Sequence, residues 1–125
     1  MSPTEPGDRP RVLDAPLLAR SVAGDGVFWS VSSEQLHLNL VHLGPGHGVA
    51  AHTNDEVDVV GAVLAGEAVL GLPDGEQRLH PGSVFFVPRG VQRVLDAGAA
   101  GCTYLTCHQR RRGLWPAPVR EPAGR

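Results

Sequence analysis

From Val27 to Gln109 the chain is a succession of short apolar segments, each closed within a few residues by glycine or proline. This pattern constrains the fold more than any other feature, because it leaves no room for long helices. Leu36-His37-Leu38-Asn39-Leu40 alternates apolar and polar residues, as a half-buried strand does. Val57 to Leu64 is a nearly unbroken, valine-rich apolar run with Gly61 inside it, which predicts a strand buried on both faces. Ala68 to Leu72 and Glu76 to Leu79 flank Pro73-Asp74-Gly75 and read as a hairpin with Asp-Gly turn chemistry. Val27–Val31, Ser83–Val87, Val91–Leu95 and Cys102–Gln109 complete a set of about nine short strands, which favours a sandwich or barrel. Only Leu13 to Arg20 predicts a helix, of two turns or fewer.

Length and composition bound the rest. A chain of 125 residues with 42% hydrophobic content is one domain with a sufficient core. Residues 1–11 and 113–125 carry three prolines each and read as tails around a domain spanning 12–112, with Leu114 and Trp115 as docking candidates. A net charge of −2 and the lack of a basic face argue against nucleic-acid binding. No apolar run approaches a membrane span. Cys102 and Cys107 fall on opposite faces of one strand, so no disulfide is expected between them. With no signal peptide, the two thiols predict a reducing cytoplasm. All eleven basic residues are arginine and isoleucine is absent, which fits a GC-rich, bacterial genome.

Two stretches carry the candidate chemistry. The first runs from Gly46 through His52, Asn54 and Asp58 to Gly66. His52 and Asn54 share a strand face. A straight strand would put Asp58 roughly 13 Å past Asn54, beyond any shared metal, so the chain must reverse between them. Asn54-Asp55 has the chemistry for that turn. The second is Gly82, five residues, then Pro88-Arg89-Gly90, with Arg93 beyond. Here a buried strand stops sharply: proline fixes φ, and Gly90 takes a conformation that side chains resist.

These stretches resemble the two signature motifs of the cupin superfamily. The Gly-x5-Pro-x-Gly skeleton matches in full, and Gly46, His52 and the Val63–Gly66 end match the first motif. Asn54 and Arg93 stand where that superfamily usually has histidine. Asp58 stands for glutamate, Gly66 falls one residue late, and Ala97 fills an asparagine slot. The resemblance implies an all-β jelly-roll β-barrel and a homodimer formed through sheet faces. It implies a divalent metal (Fe, Mn, Ni or Zn) on His52 and Asp58, with Asn54 as a weak ligand or a donor behind the ligands. A guanidinium cannot replace an imidazole as ligand. Arg93 therefore forks onto an anionic metabolite, pairs with Asp58 or Glu56, or points to solvent. His108 is a further candidate, at the barrel mouth. Two functions follow as expectations: a metal-dependent oxygenase, isomerase or lyase acting on a small anion, or a metal-free cupin that binds a small acid.

The remaining histidines carry weaker readings. His37 and Asn39 face either outward or into the cavity, and the pattern leaves this open. His42 reads as a rim residue, His47 as exposed, and His80 as part of a turn. The run Arg110-Arg111-Arg112 reads as a solvated charge cluster.

Overall fold

The structure is a computed structural model, and it describes residues 4–110 and 119–120. The strands are β1 (Glu5–Pro6), β2 (Gly26–Ser32), β3 (Leu36–Leu43), β4 (Gly48–His52), β5 (Val59–Leu72), β6 (Gly75–Leu79), β7 (Val84–Val87), β8 (Arg93–Gln109) and β9 (Val119–Arg120). The one helix, α1 (Ala15–Ala19), follows Asp14, whose side chain accepts from the Leu17 N–H at 3.1 Å as an N-cap.

Two strands organise everything. The C-terminal half of β8 pairs with β3, its N-terminal half pairs with β4, and β5 runs beside it along both halves. The result is two arms that share β5 and β8. One arm reads β1-β2-β3-β8-β5-β7, and the other reads β9-β4-β8-β5-β6. The arms meet where both shared strands lose register, at Gly66 (φ +75°) and Gly101 (φ +78°). A Cβ on Gly66 would lie 2.1 Å from the Gly101 carbonyl oxygen, and one on Gly101 would lie 2.7 Å from that of Leu43. Only glycine takes this backbone conformation at so close an approach. The four strands expected at Val57–Leu64, Ala68–Leu72, Val91–Leu95 and Cys102–Gln109 are therefore two long ones, each passing through a glycine bulge.

One core cluster joins the arms face to face. Val41, Leu43, Val63 and Tyr104 come from the first, and Ala68, Leu70, Leu79, Leu95 and Ala97 from the second. Cys102 also lies in this core, where burial pushes its thiol up to about 11, so it stays protonated and inert. Cys107 points to the opposite face, and both thiols are free.

Several local expectations change. The 73–75 turn is a two-residue loop, Pro73-Asp74, and Gly75 already pairs with Leu72. Within the expected tail, residues 4–7 lie along β2, with Glu5 opposite Val31 and Pro6 opposite Ser32. Val119–Arg120, within the expected C-terminal tail, pairs with β4. Arg111, Arg112, Leu114 and Trp115 lie outside the described residues. Among the described residues no helix is long and apolar enough to cross a membrane.

Candidate functional site

Strand alternation settles which side chains face inward. On β3, Asn39 shares the face of the core residues Val41 and Leu43, while Leu36, Leu38 and Leu40 take the other. His37 and Asn39, for which the pattern allowed either direction, therefore both point inward. Across the sheet, His37 stands opposite His108, and Asn39 opposite Thr106 on one side and Ser30 on the other. In the second arm Arg93, Leu95 and Ala97 alternate inward.

Topology sets these groups beyond the core. Arg93 lies eight residues before Gly101 on β8 and His108 seven after it. The core cluster packs the two halves of β8 face to face, so both groups stand on facing walls, away from Gly101, and both are buried.

Arg93 is 7% exposed and stands opposite His52 in the β4–β8 pairing. The reading in which it points to solvent is therefore corrected. Its Nη1 lies 3.4 Å from His52 Nε2. His52 Nδ1 lies 3.0 Å from the Ala50 carbonyl, which can only accept, so Nδ1 carries the proton. Nε2 is left as the acceptor for the guanidinium. The neutral tautomer is thus selected from both sides.

The facing wall has its own network. His37 donates from Nε2 to Asn39 Oδ1 at 3.0 Å, and Asn39 Nδ2 donates to Thr106 Oγ1 at 3.4 Å. The His37 and His108 rings stack with centroids 5.2 Å apart, and His108 donates from Nδ1 to the Gln109 carbonyl at 2.7 Å. Phe85 lies over Gly61, where a Cβ would come within 2.0 Å of its ring, and packs 6.5 Å from Tyr104. Burial, with the Cys102 thiol as a smaller contribution, raises the Tyr104 phenol above its ordinary value, so it stays protonated.

Asn54 and Asp58 sit elsewhere. Asn54 is 5% exposed, but its Oδ1 accepts from the Glu56 and Val57 N–H groups at 2.9 and 3.3 Å. This is the reversal expected at Asn54-Asp55, and it occupies the amide that was a candidate for ligand contact. Asp58 is exposed; alternation turns it outward with Val60 while Val59 faces in. Its Oδ1 accepts from the Arg89 N–H at 2.8 Å, and the Asn54 carbonyl accepts from the Gly90 N–H at 2.7 Å. Both residues therefore tie the first motif's loop to the Pro88–Gly90 turn, where Gly90 has φ +83° as expected. Asn54→Ala removes two acceptances at a buried turn and should cost about 2 kcal/mol in urea unfolding. A loss below about 0.5 kcal/mol would show that the loop does not depend on this turn.

The donor set does not fit a cupin-type metal. A cation on His52 Nε2 would displace Arg93, whose fixed positive charge would then oppose it. Asp58 faces away, and Asn54 is used by the backbone. Among the described residues no three His, Cys, Asp or Glu side chains are grouped to hold a metal ion. The structure thus brings His52 and Arg93 together, sets His108 on the facing wall, and leaves Asn54 and Asp58 as loop-building residues. Thr106, Ser30 and Phe85 join the site unannounced, and His37, for which the pattern allowed either direction, joins them. Gly61, breaking an apolar run, was the one signal for Phe85. Of the other histidines, His80 bonds Ser83 within its turn, and His42 bonds Thr103 Oγ1 at 3.1 Å. His47, expected as exposed, is half-buried against Asp25.

No family model matches the chain, and no curated protein matches it significantly. Solved structures do match. BH2720 from Bacillus halodurans superposes with a TM-score of 0.73 at 15% identity, covering 95% of this chain and 94% of that one. TT1209 from Thermus thermophilus gives 0.68 at 26% identity, with 80% and 97% covered. A cupin-2 domain-containing protein from Shewanella frigidimarina gives 0.64 at 16% identity, with 79% and 94% covered. By fold this chain is a single jelly-roll barrel like those of the cupin structures it superposes on. Where the cupin motifs have histidine it carries asparagine and arginine, Asn54 closing a loop and Arg93 turned into the barrel.

Proposed function

We propose that this cupin binds a small organic acid inside its barrel, beside Arg93, without a metal. The observation that carries the reading is the buried Arg93 guanidinium, held beside a neutral His52 where the motif would place a metal ligand. A guanidinium recognises a carboxylate through paired N–H donors, and low local dielectric strengthens that contact. The facing His37–Asn39–Thr106 row supplies polar contacts for the rest of the ligand, and Phe85 an apolar wall. Storage, sensing or complex assembly suits such a site. The oxygenase, isomerase or lyase reading needs His52 and Asp58 at one point, and their side chains diverge.

The test is calorimetric titration of chelator-treated protein with benzoate and succinate. Binding that survives the chelator and weakens about thirtyfold in Arg93→Leu supports the proposal. Near-stoichiometric metal that leaves in both His52→Ala and Asp58→Ala would reinstate the metal reading.

We also propose a homodimer through the outer face of the first arm. Phe86, Val60, Cys107, Leu38 and Val31 form one cross-strand row there, and Val84, Ala62, Leu105, Leu40 and Trp29 form the next. The first row ends at Glu5, which is paired by Arg11, and the second row holds no charge. Val84 is 70% and Phe86 59% exposed, and a contiguous apolar face of this kind marks an interaction site. Phe86→Glu should convert the protein to monomer in sedimentation velocity; an unchanged mass would place the interface elsewhere, and a monomeric parent would remove it.

A further inference from the structure

We propose that residues 4–11 form a strap that closes the side of the barrel over its interior polar row and sets how fast a ligand enters. The inference rests on the barrel interior being the binding site. β2 is the outermost long strand of the first arm, and its free edge is taken by β1 and Gly7. Thr4 is exposed and lies on the Ser30 side of the sheet, its Oγ1 2.9 Å from Ser30 Oγ. Ser30 is 3% exposed and stands opposite Asn39, so Thr4 extends the row that continues through Asn39 to Thr106. Glu5 turns outward, where Trp29 Nε1 donates to Oε2 at 2.7 Å and Arg11 Nη1 to Oε1 at 2.8 Å. One carboxylate therefore clasps the strap to β2 and to itself.

Among the described residues the rest of the attachment is slight. β1 is two residues long, and the Gly7 N–H donates to the Ser32 carbonyl at 2.8 Å. Gly7 packs so closely that an added Cβ would lie 2.8 Å from Ser33 Cβ and 3.0 Å from the Ser32 carbonyl oxygen. Arg11 also donates from Nη2 to the carbonyls of Pro6 and Arg9, at 2.5 and 3.2 Å, which stiffens the strap as a unit. A segment held by so few bonds opens locally, while the barrel behind it stays folded.

The test uses the full chain with Trp115→Phe, so that Trp29 is the one fluorophore of its kind. Glu5→Ala/Gly7→Val removes the clasp and blocks the close approach, and Glu5→Gln keeps an acceptor for Trp29. The probe is 8-anilinonaphthalene-1-sulfonate, an anionic aromatic, followed by stopped flow, with circular dichroism confirming the fold. In the double variant Trp29 emission should move to longer wavelength. Association and dissociation rates should both rise about tenfold, with Kd within about twofold, as expected of a gate. Glu5→Gln should fall between parent and double variant. A shifted Trp29 with unchanged rates overturns the strap as a gate, and an unshifted Trp29 overturns its attachment through Glu5 and Gly7.

A ligand-free readout separates this from the binding proposal. Tyr104 is the single tyrosine and lies two residues from Thr106 on the interior face. Its nitration by tetranitromethane should also quicken about tenfold when the strap is released. If the probe ignores Arg93→Leu, the binding reading fails, and Tyr104 labelling still decides the strap.

Discussion

Arg93→Leu should weaken carboxylate binding about thirtyfold while leaving the barrel as stable as before, or more so. A charge-assisted contact to a buried guanidinium is worth about 2 kcal/mol, so its loss weakens binding roughly thirtyfold. Stability moves differently, because taking a guanidinium out of water is costly and burying a leucine of similar volume is not. Arg93 is 7% exposed and one of its neighbours is a neutral imidazole, so its removal leaves His52 able to keep the Ala50 contact. Isothermal titration with benzoate and urea unfolding on the same samples read the two effects. Arg93→Lys should rescue little, since a point charge lacks the planar fork. A fall of about 3–5 kcal/mol in stability, of the order seen when a buried ion pair is broken, would make Arg93 a structural partner.

Gly66→Ala should be the most damaging single methyl group added to this chain. Two costs combine there. The backbone at φ +75° disfavours any side chain by roughly 1–2 kcal/mol, and the new Cβ would meet a carbonyl oxygen 2.1 Å away. That oxygen belongs to Gly101, the matching bulge of the neighbouring strand, so relief at one strand moves the other. A loss above about 3 kcal/mol is expected in urea unfolding. Gly82→Ala is the control: φ is +93°, but nothing lies within 4 Å of the added Cβ, so only the conformational cost of about 1 kcal/mol remains. Equal losses at the two sites would show that the crossing of β5 and β8 is not tightly packed.

Most of the architecture was legible because turn chemistry is local. Gly82, Pro88 and Gly90 each impose a backbone conformation whatever the surroundings, and the strand between them formed where expected. Asn54 was legible as a turn former, and its use there decided its function: an amide oxygen holding two backbone N–H groups is not offered to a ligand. Asp58 was placed at the metal by the motif resemblance, whereas period-two alternation along Val57–Val60 turns it outward, where it accepts from the Arg89 N–H. The polar row of Ser30, Asn39, His37, Thr106 and His108 was only partly visible. It depends on which strands pair, and residues on β2, β3 and β8 meet through a register that no motif records. Arg93 was the reverse case. Its position was marked by the motif skeleton, while its burial beside His52 needed the β4–β8 pairing to be seen.

The sharing of β8 between both arms has a consequence during synthesis. Three strands made before residue 93 wait for one central neighbour: β3 and β4 both rest against β8, and β5 runs beside it along both halves. A nascent chain cannot close this barrel until Gln109 has left the ribosome. Until then β5, paired on one side by β6 and β7, presents its other, valine-rich edge unpaired to water or to a chaperone. The chain is therefore most prone to aggregate in the interval before its last long strand emerges.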